Sequence, residues 1–215
     1  MTRKHHSHHP VMHKAPEGYR PTRGFENVHH HWDAAANSWI VQILPGEFYV
    51  TENNEIIATV LGSCVSTCIR DRNTGLGGMS HFMLPEDPRR DARGDALRYG
   101  CFALERLINE LIKRGAERDQ LEIKVFGGGQ VIATMSDIGR SNVEFVRNYL
   151  RDESLTADVE DVGGPWARRV RYYPANGKVL VKHLSMGEAV KVRTQEEDFR
   201  EKLRTQRQAG EVELF

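Results

Sequence analysis

Short apolar and β-branched runs follow one another between residues 39 and 84. Turn signals such as Pro-Gly, Asn-Asn and Arg-Asn-Thr-Gly separate them, a pattern typical of short strands. The pattern predicts five strands, at 39–44, 47–51, 55–61, 64–71 and 77–84. The last two are expected to pair as a hairpin through the Arg-Asn-Thr-Gly turn.

The spacing of apolar residues then changes from strand-like to helical. Residues 94–116 predict an amphipathic helix that stops at Gly115, and residues 141–153 predict a second helix capped by Ser141 or Asn142. Further strands are predicted at 121–129, 157–164, 168–174 and 178–184. The order implies an α+β domain, with a β-sandwich-like core of antiparallel or mixed strands and two main helices packed on one side.

The two ends of the chain are more polar than its centre. Residues 1–36 hold eight of the ten histidines and few aliphatic residues, so we expect a disordered His-rich arm. Its clusters, at residues 5–6, 8–9 and 29–31, could bind transition metals, but a solvated tail with adventitious metal affinity is favoured. The domain is expected to span 37–193. Residues 194–215 predict a charged tail, either a solvated helix or frayed, outside the core.

Composition narrows the function classes. Lys plus Arg and Asp plus Glu number 30 each, so no net charge draws this chain of 215 residues to nucleic acid. No segment approaches the roughly 20 apolar residues of a membrane span, and the N-terminus has no secretory pattern. Three cysteines make no disulfide framework. We therefore expect a soluble cytoplasmic protein with reduced cysteines.

Cys64 follows a Gly-Ser pair at the start of a predicted strand, which raises the question of its role. A bridge to Cys68 is disfavoured, because four strand residues separate the Cα atoms by about 13 Å and bridging needs less than ~7 Å. A structural zinc site is also disfavoured, because Cys64, Cys68 and His81 supply three ligands where four are usual. Cys68 and Cys101 are best interpreted as small buried apolar residues.

A nucleophile at Cys64 would need a base and oxyanion donors. Gly62 permits a tight turn or close approach of a substrate, and Ser63 and Cys64 offer adjacent backbone N–H groups. His81 lies on the strand predicted to pair with the Cys64 strand, near its first residues. From these patterns alone, a Cys-His hydrolase and a buried core histidine remain about equally supported.

Several motifs, in order, resemble the chemoreceptor glutamine deamidase family CheD. They are TVLGSCVSTCIRD, GGMSHFMLP, RYGCFALERLINELIKRGA, KVFGGG, IGRSNVEFV and EDVGGPWARRVRY, within residues 39–192. The resemblance implies a sandwich-like fold with helices on one side. It also implies Cys64 as nucleophile, His81 as its partner and Thr59 as third member. Some members place that threonine one residue further from the cysteine, where this chain has Ala58.

The resemblance further implies hydrolysis of glutamine side-chain amides on methyl-accepting chemotaxis proteins. The products are glutamate and ammonia, the reaction passes through a Cys64 thioester, and esterase side activity is possible in principle. Gly62 and Ser63 would belong to the oxyanion turn, and no metal or organic cofactor is implied. A CheC-type phosphatase is a possible regulatory partner.

Two glycine-rich segments, at residues 127–129 and 163–169, can be interpreted either as plain turns or as borders of a substrate groove. In the second case Gly128 and Gly164 would border the groove, and Arg168 and Arg169 would meet the acidic flank of a receptor helix. A P-loop is excluded because the Lys-Ser/Thr ending is missing.

Two other function classes remain. The chain could be a non-catalytic chemotaxis adaptor, although such a role requires neither Cys64 nor His81. It could also be a redox or metal sensor that uses Cys64, Cys68 and the His-rich arm. We expect no metal to bind the domain without that arm.

Overall fold

A computed structural model describes residues 14–84, 95–131 and 136–210. Its strands form two mixed five-stranded sheets. The first has the order β1-β2-β4-β9-β10, from His29–Asp33, Ser38–Gln42, Ile56–Leu61, Arg168–Tyr173 and Lys178–His183. The second has the order β3-β6-β5-β7-β8, from Phe48–Thr51, Gly77–Phe82, Val65–Asp71, Leu121–Gly127 and Val159–Val162.

The second sheet lies at the centre of the molecule. Every residue of β6 and all but Arg70 of β5 are buried, which requires cover on both faces. Helices α1 (Asp95–Lys113) and α2 (Ser136–Asp152) contact this sheet, and β4 of the first sheet contacts β6. One apolar cluster joins both sheets and both helices. The α+β prediction, with a sheet core and helices on one side, is confirmed.

The hairpin of β5 and β6 forms through the predicted turn. Its turn is held by Asp71, whose Oδ1 accepts the backbone N–H groups of Asn73 and Thr74. Antiparallel pairing sets Ser66 opposite His81. The side of the hairpin away from this turn therefore brings His81 close to Cys64, the residue that precedes β5.

The second predicted helix starts earlier than its sequence pattern indicated. Helix α2 begins at Ser136, so Ser141 and Asn142 lie inside it and the N-cap prediction is wrong. Both side chains are buried. The polar run that resembled a cap is instead a polar contact between the helix and the core.

The segment that the sequence assigned to a disordered arm contributes an edge strand. β1 pairs antiparallel with β2, from His29 opposite Gln42 to Asp33 opposite Ser38. Ahead of it, Phe25 joins the main core. Tyr19 stacks on Trp39 and donates to the buried carboxylate of Glu55. Only a small number of aromatic side chains anchor this segment. Polar residues outnumber them, so the composition of the segment predicted disorder. The histidines at positions 5–9 lie outside the described residues.

A third helix, α3 (Met186–Gly210), begins directly after β10. Ser185 and Glu188 cap its start, because the Ser185 backbone N–H and hydroxyl both donate to the Glu188 carboxylate. Among the described residues, no helix combines the length and apolar character that crossing a membrane would take.

Candidate active site

The turn between β4 and β5 has its three carbonyl groups held from one side. The Gly62 and Cys64 carbonyls accept the backbone N–H groups of Gly129 and Gly128, each at 2.7 Å. The Ser63 carbonyl accepts the Asn142 side-chain amide at 2.8 Å. These bonds occupy the carbonyl groups of the turn. The N–H groups of the same three residues are bound by a different partner.

These three N–H groups converge on a single carboxylate, that of Glu196 in α3. Oε1 accepts from Gly62 at 2.8 Å and from Cys64 at 3.0 Å. Oε2 accepts from the Ser63 backbone N–H and hydroxyl, each at 2.7 Å. Converging backbone donors of this kind form an anion-binding nest. The turn can therefore hold a carboxylate or an oxyanion beside the Cys64 sulfur.

The hydrogen bonds of Thr59 determine the tautomer of His81. The Thr59 hydroxyl donates to the Ile43 carbonyl at 2.9 Å and lies 2.7 Å from His81 Nδ1. Since the hydroxyl uses its one proton in the hydrogen bond to Ile43, it accepts a hydrogen bond from Nδ1–H. Nε2 is then the unprotonated nitrogen. It is buried and has no hydrogen-bond partner among the described residues.

Cys64, His81 and Glu196 form a compact buried group. One ligand atom from each lies within 4.8 Å of the other two, and their side chains are at most 2% exposed. Burial lowers the pKa of His81 to about 4, against the opposing effects of the Glu196 charge and the Ile43 carbonyl. Burial, followed by the Glu196 charge, raises the pKa of Cys64 well above its ordinary value. With Glu196 in place, the thiol and the imidazole are therefore both neutral.

The glycine run after β7 permits the close approach that holds the cysteine turn. Gly127 and Gly128 have φ values of 108° and 63°. A Cβ on Gly127 would lie 2.2 Å from the Cys64 carbonyl oxygen, and one on Gly128 would lie 2.3 Å from Val143. This run packs against the back of the turn, so its role here is to support the turn.

Of the other predicted groove residues, Gly164 lies in the loop between β8 and β9, and Arg168 and Arg169 begin β9. Arg168 is 2% exposed, and its guanidinium donates to Asp161 and to the carbonyls of Gly163 and Trp166. It holds the 163–166 loop and is not free to meet a partner's acidic residue. The carbonyl of Gly164, in this loop, accepts the N–H of Gln130, which follows the glycine run after β7. Arg169 points outward and lies 3.7 Å from Glu188, in the first turn of α3.

The Cys64, His81 and Glu196 group also has the chemistry of a metal site, since thiolate, imidazole and carboxylate all bind zinc. However, both Glu196 oxygens already accept two hydrogen bonds each. A metal would have to draw this carboxylate away from four donors. The observed arrangement therefore suits an anion better than a cation.

Two residues of the site were missed by the sequence patterns. Asn142 was interpreted as a cap, and Glu196 was placed in a charged tail outside the core. Glu196 is 2% exposed. The available signal was the helical spacing of Val192, Glu196, Phe199 and Leu203, which charged neighbours mask.

Comparison with known proteins identifies the family of the chain. Residues 83–183 match the sequence model of the family described as CheD chemotactic sensory transduction. The chain is 44% identical to a probable chemoreceptor glutamine deamidase CheD of Hahella chejuensis, over 89% of this chain and 92% of that protein. It is 46% identical to the protein of the same name in Methylobacillus flagellatus, over 86% of this chain and 94% of that protein.

Proposed function

Because the chain belongs to the CheD family, we propose that it is a protein-glutamine deamidase acting on chemoreceptors in chemotaxis. Its substrates would be glutamine side chains of methyl-accepting chemotaxis proteins, and its products glutamate and ammonia. The observation that supports this best is the cysteine turn itself. A thiol, an unprotonated imidazole nitrogen and three converging backbone N–H groups meet there in one buried place.

The reaction begins with the Glu196 carboxylate away from the turn and a substrate amide in its place. Nε2 of His81 takes the Cys64 proton, and the thiolate attacks the amide carbon. Thr59 keeps the acceptor nitrogen directed at the thiol by holding the proton on Nδ1. The N–H groups of Gly62, Ser63 and Cys64 stabilise the developing oxyanion. Loss of one such donor typically costs about 10²–10³ in rate.

The second half of the reaction returns the protons. Protonated His81 donates to the leaving nitrogen, the C–N bond breaks, and ammonia departs from a Cys64 thioester. The same imidazole then activates a water molecule that hydrolyses the thioester to a carboxylate and regenerates the thiol. Burial favours the return of the proton from His81, because a dry site disfavours the charged imidazole.

The surroundings of the reaction form part of the proposal. We expect it to take place in the cytoplasm, on receptor helices, with esterase side activity towards glutamate methyl esters. Binding of a CheC-type phosphatase stays a prediction from the family resemblance. The alternative function is that of an adaptor that binds receptor without modifying it.

Mass spectrometry of a purified receptor cytoplasmic fragment, combined with ammonia release, tests the proposal. We expect wild type to add about one dalton per modified glutamine, the difference between an amide and an acid. Cys64→Ala should lower the rate at least about 10³-fold, and His81→Ala by about 10²–10⁴-fold.

Matched controls are Cys68→Ala and His183→Ala, which change a core cysteine and an exposed histidine. Both should retain activity close to wild type. Equal modification by Cys64→Ala would refute the nucleophile assignment. Receptor binding by wild type without any modification would favour the adaptor.

A further inference from the structure

Among the residues of α3 whose burial the structure describes, Glu196 is the one acid on the buried face of the helix. Val192 and Leu203 are buried, Phe199 packs against the main core, and Glu196 lies among them with the same helical spacing. Most of the other positions from residue 190 to residue 205 are exposed. A buried carboxylate is costly unless it is fully hydrogen-bonded. The four donors of the cysteine turn are what permit an acid at this position.

The side chain in the proposed oxyanion site has the chemical structure of the reaction product. Deamidation turns a glutamine side chain into a glutamate side chain, and Glu196 presents such a side chain from a helix to Cys64 and His81. A receptor helix carrying a glutamine could reach the turn with the same geometry. This inference rests on the proposed function.

We propose that α3 occupies the surface on which the substrate helix docks, with Glu196 as an internal product mimic that closes the site. Because the occupant is seen in place, its sequence also indicates the substrate register. Positions −4, +3 and +7 from the reactive glutamine should be apolar, matching Val192, Phe199 and Leu203 around Glu196. The substrate class is therefore an amphipathic helix with its glutamine inside the apolar face.

The packing of α3 is consistent with an occupant that can be displaced. Val192 packs on Ala167 and Leu184, at the end of α3 nearest β10. Beside it, a cleft of about 350 Å³ remains open between Trp166, Ala167 and Ala189. The small side chain of Ala189 does not fill this cleft, which leaves room for a larger apolar residue at the equivalent position, −7, of a substrate helix.

Closure by α3 acts on the nucleophile in two ways. The Cys64 side chain is 0% exposed while α3 is in place, so a substrate cannot reach it. The Glu196 charge also opposes formation of a second negative charge on the thiol, which adds to the effect of burial on the Cys64 pKa. A substrate helix that displaces Glu196 removes both obstacles together, because it brings a neutral amide.

The Glu196→Gln variant of the full chain turns the mimic into a substrate and tests the register directly. Cys64 should attack the new side-chain amide carbon at position 196, ammonia should leave with a proton from His81, and water should hydrolyse the thioester to a glutamate side chain. We expect a Cys64-dependent gain of about one dalton at this position. The rate should be independent of protein concentration, because the reaction is intramolecular.

Three controls accompany this variant, analysed by peptide mapping. Gln195, the exposed neighbour on the same helix, should keep its amide, as should the amide that Glu201→Gln introduces at another exposed site. The double variant Glu196→Gln with Cys64→Ala should also keep the amide at position 196. Persistence of that amide in a single variant that still deamidates the receptor fragment would overturn this inference and leave the proposed function intact.

A different result would support the register of α3 and refute the receptor substrate. That result is conversion at position 196 that depends on Cys64, in a protein that leaves receptor glutamines unchanged. Conversion in the Cys64→Ala background would overturn the inference, because it would show spontaneous hydrolysis.

Iodoacetamide labelling of the full chain tests closure. Glu196→Ala should raise the alkylation rate of Cys64 at least about tenfold. Without the carboxylate, the fraction of molecules in which α3 is away from the Cys64 turn should rise. Glu201→Ala is the matched control and should alkylate at the wild-type rate. EDTA in every reaction removes bound metal as an explanation. Equal rates for wild type and Glu196→Ala would overturn closure by α3.

Discussion

Cys64 and Cys68 are two fully buried cysteines, four residues apart, whose surroundings differ. Both are 0% exposed, both belong to the main core, and neither forms a disulfide. Cys68 lies within β5, where its backbone is opposite Met79 and Lys124. Cys64 lies in the turn before β5, beside His81 and a nest of N–H groups.

The difference shows that burial by itself does not mark a reactive cysteine. Burial raises the pKa of both thiols, so neither is a thiolate in this closed state. At Cys68, the Lys124 charge opposes that effect of burial. At Cys64, the Glu196 charge adds to it. What distinguishes Cys64 is its surroundings: an imidazole nitrogen without a hydrogen-bond partner among the described residues, three converging N–H groups and the Glu196 carboxylate.

Acid should lower the stability of the protein through His81, which lies beside Cys64. Burial lowers the His81 pKa to about 4, from an ordinary 6.5. Below pH 6.5 the unfolded chain therefore binds a proton at His81, whereas the folded chain binds this proton only near pH 4. Stability that is complete above pH 6.5 should fall by about 3 kcal/mol as pH drops to about 4. Urea unfolding of wild type and His81→Gln across this range measures the difference.

Cys68→Ala provides the comparison for this experiment. Its stability should fall with pH in parallel with wild type, because it keeps His81, while His81→Gln should show the shallower dependence. Identical slopes for wild type and His81→Gln would contradict the burial effect on His81.

Removing the hydroxyl that orients His81 should reduce the rate while the fold is kept. Thr59→Val has nearly the same shape but cannot accept a hydrogen bond from Nδ1–H, so both tautomers become available. We expect kcat on the receptor fragment to fall about 10–100-fold, and Thr59→Ser to restore most of it. Thr67→Val, which removes a hydroxyl bonded to Ser80 beside Cys68, is the matched control.

The readout separates orientation from simple stability. Thr67→Val should lower the free energy of unfolding, because the buried Ser80 hydroxyl loses its hydrogen-bond partner. Its kcat should stay near that of wild type. A Thr59→Val enzyme with wild-type kcat would remove Thr59 from the site and reduce its role to packing.

The smallest expected effect concerns Cys68 itself. Cys68→Ala removes one buried sulfur from the core, so the free energy of unfolding should fall by about 1 kcal/mol. Denaturant unfolding measures this change, and deamidation should stay within about twofold of wild type. A large loss of activity with unchanged stability would break the contrast between the two cysteines.

Local patterns predicted most of the architecture. Strands at β2 to β10, helix α1 and the β5–β6 hairpin follow from period-two and helical spacing and from turn residues, which act over a few neighbours. Cys64 and His81 could be predicted together because one hairpin connects them. Thr59 was inferred from family resemblance, and the structure places its hydroxyl on His81 Nδ1.

Contacts between distant segments could not be predicted in this way. Glu196 is 132 residues from Cys64 and lies in the polar C-terminal helix, so no spacing rule connects them. Arg168 was expected to face a partner, yet Asp161 and two loop carbonyls bind its guanidinium inside the fold. In both cases the partner of a charged group depends on which elements pack together.

The sequence by itself determined the class of fold and the hairpin that brings His81 beside Cys64, because periodicity and turn chemistry are local. Only the tertiary structure decided what surrounds the cysteine. Packing committed the carbonyls of the turn to Gly128, Gly129 and Asn142, and left its N–H groups to converge on Glu196. A buried charge requires donors from elsewhere in the chain, and folding alone brings those donors together.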